Sequence, residues 1–190
     1  MKRISILLAA VMMATVVMAQ WTMEMYDQYT YADYTTYAPF NRSLESTDYD
    51  IDLLEAAVFY ETNRQRALNG LSQLHFDYNL MVCAHNHSVD MVNLDFFSHT
   101  SPVEGKTSFT DRMRQVGYDR CWSAENIAYC AIESSYAETA KHLLNQWMNS
   151  SGHRANILNP RYTHIGCGTA CYLDGGFVYV KATQNFMEKK

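Results

Sequence analysis

The chain has little of what marks disorder, nucleic-acid binding or membrane spanning. Three Pro and eight Gly in 190 residues, beside 48% hydrophobic residues, exclude collagen-like and low-complexity chains. Lys and Arg form no run longer than the Lys2-Arg3 and Lys189-Lys190 pairs, and the formal net charge is −5. A phosphate backbone requires a basic stripe, so nucleic acid is not an expected partner. Long apolar stretches are absent after the first nineteen residues, so no transmembrane segment is expected in the remaining chain.

What is present begins with Met1 to Ala19, where Lys2 and Arg3 precede an apolar run from Ile4 to Met18 and Val17-Met18-Ala19 places small residues at a cleavage position. That run is about fifteen residues, short of the roughly 20 needed to span a bilayer. It reads as a cleaved secretory signal, with the mature protein secreted or periplasmic.

An oxidising destination permits Cys83, Cys121, Cys130, Cys167 and Cys171 to pair, and five is odd. Cys83 falls in a helical pattern and reads as a small core residue. Joining Cys167 to Cys171 within one extended strand would span about 13 Å, beyond disulfide reach unless the strand bends. Links between the 121/130 and 167/171 pairs are the favoured alternative.

Residues 20–50 are rich in Tyr and Thr without a period of 2 or 3.6, and read as an arm or linker, or alternatively as a strap lying on the domain. From Asp50 the apolar spacing of Ile51, Leu54, Ala57 and Val58 predicts a helix over about 50–69, stopped at Gly70. Asp77 is an N-cap for a helix to about Leu94, a short helix covers about 108–116, and Ser135 with Glu138 forms a capping-box signature for another carrying Ala140, Leu143, Leu144 and Trp147. Strands are predicted over Ser123 to Tyr129, Ile165 to Tyr172, and from Phe177 onward, the last two joined by Asp174-Gly175-Gly176. Four helices and three strands, the strands late and hairpin-linked, define an α+β fold.

Seven histidines invite a metal reading. His85 and His87 are two residues apart on a helix and point to opposite faces, so they cannot share an ion. His75 and His142 read as surface or capping groups, and His164 carries no partner signal. His99 and His153 stand at element junctions. Between them Glu125 lies in the apolar strand Ala124-Glu125-Asn126-Ile127-Ala128, where alternation puts Glu125 and Ile127 on one face and Asn126 on the other. A buried carboxylate needs a partner, and two histidines would serve as donors or co-ligands of a cation.

These segments, with Phe97-Ser98-His99-Thr100-Ser101-Pro102, Trp147 through the run Ser150-Ser151-Gly152-His153-Arg154-Ala155-Asn156-Ile157-Leu158-Asn159-Pro160, Ile165-Gly166-Cys167-Gly168 and Thr183-Gln184-Asn185-Phe186, resemble the CAP superfamily of SCP-like extracellular domains. The resemblance covers about 51–187, and the compact link between Trp147 and His153 is similar to its bacterial branch. It implies a three-layer α-β-α sandwich with a small, mainly antiparallel sheet and a large cleft in which His and Glu side chains converge, in some members around zinc. His99, Glu125 and His153 match three members of the family's tetrad, whereas Ser150 stands where the second Glu would fall. The resemblance further implies lipid, sterol or extracellular protein ligands and no uniform reaction. Three readings follow: a secreted binding module whose cleft holds a divalent cation weakly, a metal-dependent hydrolase or peptidase with Glu125 as general base, and a purely structural cluster.

Overall fold

Four of the five described α-helices begin where a short polar side chain meets the free N–H groups of the first turn. In the computed structural model, which describes residues 21–44 and 49–189, Asp50 accepts from the Leu53 N–H to open α1, Ile51–Leu68. Asp77 accepts from Leu80 N–H to open α2, Tyr78–Asn93. A reciprocal box between Ser108 and Asp111 opens α3, Phe109–Gln115. Ser135 opens α4, Tyr136–Asn149, by accepting from the Glu138 N–H, but the Glu138 carboxylate turns to Lys141 at 2.6 Å and leaves the box half-made. A fifth helix, α5, Ser151–Ile157, follows Ser150 directly, so His153 lies in a helix and not in a loop.

The strands are β1, His75–Phe76; β2, Ser123–Ala131; β3, His164–Asp174; and β4, Phe177–Met187. Their order is β1-β3-β4-β2, parallel between β1 and β3 and antiparallel elsewhere. One face carries α1, α4 and α5, and the other carries α2 and α3, which gives the three-layer sandwich. The described residues thus hold five α-helices and four strands, against the four and three expected, because β1 has only two residues and α5 follows α4 through Ser150 without a side-chain cap to mark its start.

Strand parity sorts the faces. Gly166 and Gly168 of β3 face α2, whose backbone comes so close that a Cβ at Gly166 would lie 1.9 Å from Met81 N and one at Gly168 2.0 Å from His85 N. Asn185, Thr183 and Lys181 of β4 and Glu125 of β2 share that face through the pairings Gly166↔Asn185, Gly168↔Thr183, Ala170↔Lys181 and Glu125↔Asn185. Ile165, Cys167, Phe186 and Ala128 face the other way, into the main core with Leu54, Leu143 and Trp147.

Residues 21–44 lie on α1 as a strap with two 3-10 turns, Met23–Asp27 and Ala38–Asn41. Trp21, Tyr34 and Phe40 are buried around the Tyr60 ring, at centroid distances of 5.8, 6.1 and 5.8 Å, and Tyr26 stacks on Phe76 at 3.8 Å. Tyr34 Oη donates to the Glu61 carboxylate at 2.9 Å, and Tyr60 Oη donates to Met25 O at 3.1 Å. Aromatic rings bury large areas, which is why this segment packs although it has no period. The proposed signal at 1–19 lies outside the described residues.

All five cysteines are thiols in this structure, and the links expected between the 121/130 and 167/171 pairs are not formed. Cys130 and Cys171 both oppose Val180, one from each side of β4. Two inter-strand spacings, about 9.5 Å, separate them, which exceeds disulfide reach. Cys121 packs on the opposite side of the sheet, with Leu80, Met113 and Met187.

Candidate functional site

Alternation along β2 sends Glu125 toward the α2/α3 layer and Asn126 toward α4 and α5, and each anchors one wall of a cleft. The Glu125 side chain is 2% exposed. Its Oε1 is 2.8 Å from His99 Nδ1, and Arg112 Nη2 lies 2.8 Å from both carboxylate oxygens. Arg112, also buried, donates in addition to His99 O and Lys106 O at 3.1 Å each. One guanidinium therefore neutralises the strand carboxylate and pins the backbone that carries His99. Burial pushes the Glu125 carboxyl up, but the His99 hydrogen bond and the Arg112 charge outweigh it, so Glu125 sits below the usual carboxylate range.

His87 closes the back of this network, fully buried, with Nε2 4.0 Å from Glu125 Oε1 and 3.1 Å from Ser98 O. Donation from Nε2–H to Ser98 O leaves Nδ1 without a partner. Burial pushes His87 down to about 4, so the ring is neutral at physiological pH.

The other wall rests on Asn126. Its Nδ2 donates to His153 O and to Gln184 Oε1, both at 3.1 Å, and its Oδ1 accepts from Asn156 Nδ2 at 2.8 Å. Gln184 Nε2 donates to Thr62 Oγ1 at 2.7 Å, and Thr62 donates to Val58 O. This buried chain of amides ties α5 through the sheet to α1 and fixes where His153 stands. A cavity of about 240 Å³ opens there, lined by Phe97, Tyr129, Gln146, Trp147, Ser150 and His153 among others. Phe97 and Tyr129 meet edge to face at 5.0 Å on its rim. Burial and the nearby charge of His99 hold His153 below the usual histidine range.

Of the three residues singled out from sequence, His99 and Glu125 are directly bonded, while His153 approaches from α5 and reaches β2 through its backbone carbonyl. Among the described residues no group of three or more His, Cys, Asp and Glu side chains is placed to hold a metal ion. The reason is local: Arg112 occupies both Glu125 oxygens, so a His-Glu-His ligand set does not fit. Arg112 escaped sequence reasoning, and Asn126, Asn156 and Gln184 entered it only as members of the quoted segments, without a role. The amide in an otherwise apolar strand was the available signal, since a buried Asn must find partners.

A second pair of the same type joins α1 to α2. His85 Nδ1 is 2.7 Å from Glu55 Oε1, which also accepts from the Thr169 N–H at 2.9 Å. The Glu55 hydrogen bond holds His85 above the usual histidine range, whereas burial raises Glu55.

With this geometry in place, comparison with known proteins gives the class. Residues 59–186 match the cysteine-rich secretory protein family, CAP. The chain belongs to that family. It is 37% identical over 139 residues to YkwD of Bacillus subtilis, covering 73% of this chain and 49% of YkwD. It is 35% identical to the B. subtilis membrane protein YlbC over 71% of this chain and 34% of YlbC. The chain thus spans half or less of the curated relatives it matches. Among solved structures, an extracellular SCP-domain protein from Bacillus anthracis is 32% identical, with a TM-score of 0.58 over 73% of this chain and 41% of that one. An outer surface protein of Borrelia burgdorferi, 20% identical with a TM-score of 0.53 over 70% and 90% of the two chains, shares the fold. Among the described residues no helix is long and apolar enough to cross a membrane.

Proposed function

We propose that the protein is a secreted or periplasmic binding module whose cleft, bounded by His99 and His153, grips a projecting group of an extracellular partner. The observation that carries this reading is the Arg112–Glu125–His99 network, which fixes one imidazole while leaving it half exposed, together with the apolar-walled cavity that Phe97 and His153 line. The cavity of about 240 Å³ falls below the roughly 300–1,000 Å³ of pockets that engulf a small molecule. It therefore suits the tip of a larger ligand, such as a peptide side chain or one end of a lipid, better than a whole sterol. Saturable binding that shelters an entire sterol would overturn this size argument.

The hydrolase reading is weaker on the same geometry. A general base works best with a pKa near the operating pH, whereas Glu125 is held low and ion-paired.

A divalent cation such as zinc fits this cleft only as a guest of the two imidazoles. Glu125 then acts on Nδ1 of His99, fixing its tautomer and leaving Nε2 for the ion, while His153 is neutral at pH 7 because its pKa is lowered. A bound cation supplies a Lewis-acid point that a partner's carboxylate or carbonyl completes. With two neutral ligands and no thiolate, affinity is expected to be weak, to fall on acidification because protons compete with the ion for imidazole nitrogen, and to leave folding intact when chelator is added. Calorimetric zinc titration of wild type and His153→Ala at pH 7.5 and 5.5 checks this. The variant should lose one bound equivalent, and unchanged uptake, or unfolding in chelator, would defeat the assignment.

A further inference from the structure

The free edge of the sheet carries two histidines that the cleft does not use. His75 opens β1 and His164 opens β3, and the two are register partners in the parallel ladder. The ladder fixes both backbones, since the His75 N–H donates to Thr163 O at 2.9 Å and the Asp77 N–H donates to Ile165 O at 3.0 Å. Their ring centroids lie 5.4 Å apart at an interplanar angle of 41°. Two imidazoles bound through nitrogen to one tetrahedral ion at about 2.0–2.1 Å have centroids about 5.2 Å apart.

The hydrogen bonds around His164 settle which nitrogen is available. Thr163 Oγ1 accepts from Lys189 N–H at 2.9 Å, lies 2.8 Å from His164 Nδ1, and is 3.3 Å from Lys189 O. A hydroxyl has one proton and two lone pairs. All three contacts are satisfied together when Thr163 donates to Lys189 O and accepts from both Lys189 N–H and His164 Nδ1–H. That tautomer leaves the lone pair on Nε2, the arrangement in which an outer hydrogen bond orients a ligating histidine.

We infer that His75 and His164 form a second divalent-cation site, for imidazole-seeking ions such as Zn²⁺, Ni²⁺ or Cu²⁺, completed by water. It lies two to three inter-strand spacings, about 10–14 Å, across the sheet from β2 and the cleft. The charged groups facing it are Lys189 and Asp77, and they pair with each other at 3.1 Å, so the local field is close to neutral. Asp77 does not serve as a third ligand. Its oxygens accept from Tyr118 at 2.8 and 2.7 Å, from the Leu80 N–H and from Lys189. Two imidazoles without a carboxylate favour borderline ions over Mg²⁺ or Ca²⁺, which require oxygen ligands.

The test is zinc titration of the untagged protein at pH 7.5, with thermal melts to verify folding. In a His99→Ala/His153→Ala protein one equivalent of Zn²⁺ should still bind, and Mg²⁺ in hundredfold excess should not displace it. Adding His75→Ala or His164→Asn should weaken that binding at least tenfold. In sub-stoichiometric Cu²⁺ the ring signals of His75 and His164 should broaden together in NMR spectra. The inference is overturned if the His99→Ala/His153→Ala protein takes up no zinc to millimolar concentration, or if its uptake ignores His75→Ala. Failure of the cleft assignment reads differently: wild type and the His99→Ala/His153→Ala protein would then bind the same single equivalent, and His75→Ala would remove it from both.

Discussion

Arg112 decides what Glu125 can do, and it shows how far a single residue's role could be read in advance. The face taken by Glu125 was legible, because alternation in a strand leaves no choice, and so was its need for a partner. The identity of the partner was not. Arg112 sits in a seven-residue helix with Arg114 two positions away, and nothing local tells the buried guanidinium from the exposed one; only the distance closed by the fold does. Replacing Arg112 by Met should cost about 3–5 kcal/mol in denaturant melts, because it strands a buried carboxylate with only the His99 side-chain hydrogen bond left to it. Pairing that change with Glu125→Gln should recover part of the loss, since the charge that needed Arg112 is then gone. A single-variant loss below about 1 kcal/mol would place the ion pair in solvent, against its near-complete burial.

Among elements, the long periodic ones were readable to within a residue or two. The helix expected over about 50–69 occupies 51–68, the Asp77 cap stands, and the hairpin after Asp174 forms. Short elements were readable only where their ends were marked: α3, seven residues long, carries the Ser108–Asp111 capping box, whereas α5, of the same length, follows α4 through Ser150 with no side-chain cap, and β1 has only two residues. The reason for the glycine pair in β3 was likewise hidden, for it is imposed from outside by α2. Gly168→Ala should therefore be among the most damaging small changes in the chain. Its methyl would meet the backbone of Ala84 and His85, which cannot rotate away, so a loss of about 3 kcal/mol or failure to accumulate folded protein is expected. Gly152→Ala, with open space around it, serves as the matched control. On α4, Trp147 is fully buried against the core, and Trp147→Ala should cost about 3–5 kcal/mol by chemical denaturation. A loss under about 1 kcal/mol would mean that this helix does not close the sandwich.

At the scale of the whole molecule, the sequence carried the sandwich and the CAP family, but not how its titratable groups set stability against pH. Two histidines on α2 pull in opposite directions. His85, raised by Glu55, binds its proton more readily folded than unfolded, so its contribution is complete below the unfolded pKa of about 6.5 and fades as pH rises through the folded value. His87 does the reverse. Its folded pKa of about 4 means that between pH 6.5 and 4 the unfolded chain takes up a proton which the folded chain refuses, so stability drains as the solution becomes more acid. A separation of about 2.5 units corresponds to roughly 3 kcal/mol over that range. Glu125, held low, adds its own loss only beneath the ordinary carboxylate range, whereas His153 and His164, also held low by burial, act with His87 below pH 6.5 and the raised Glu55 acts against them, so the His87 share is read as a difference from a variant. Measuring unfolding free energy for wild type and His87→Gln from pH 7.5 to 4.5 isolates this term, since glutamine can still donate to Ser98 O but does not titrate. The wild-type curve should fall by about 2–3 kcal/mol more than the variant's across the acid half of the range. Two curves that run parallel from pH 7.5 to 4.5 would show that the His87 ring accepts its proton in the folded protein, and that the core behind Glu125 is open to water.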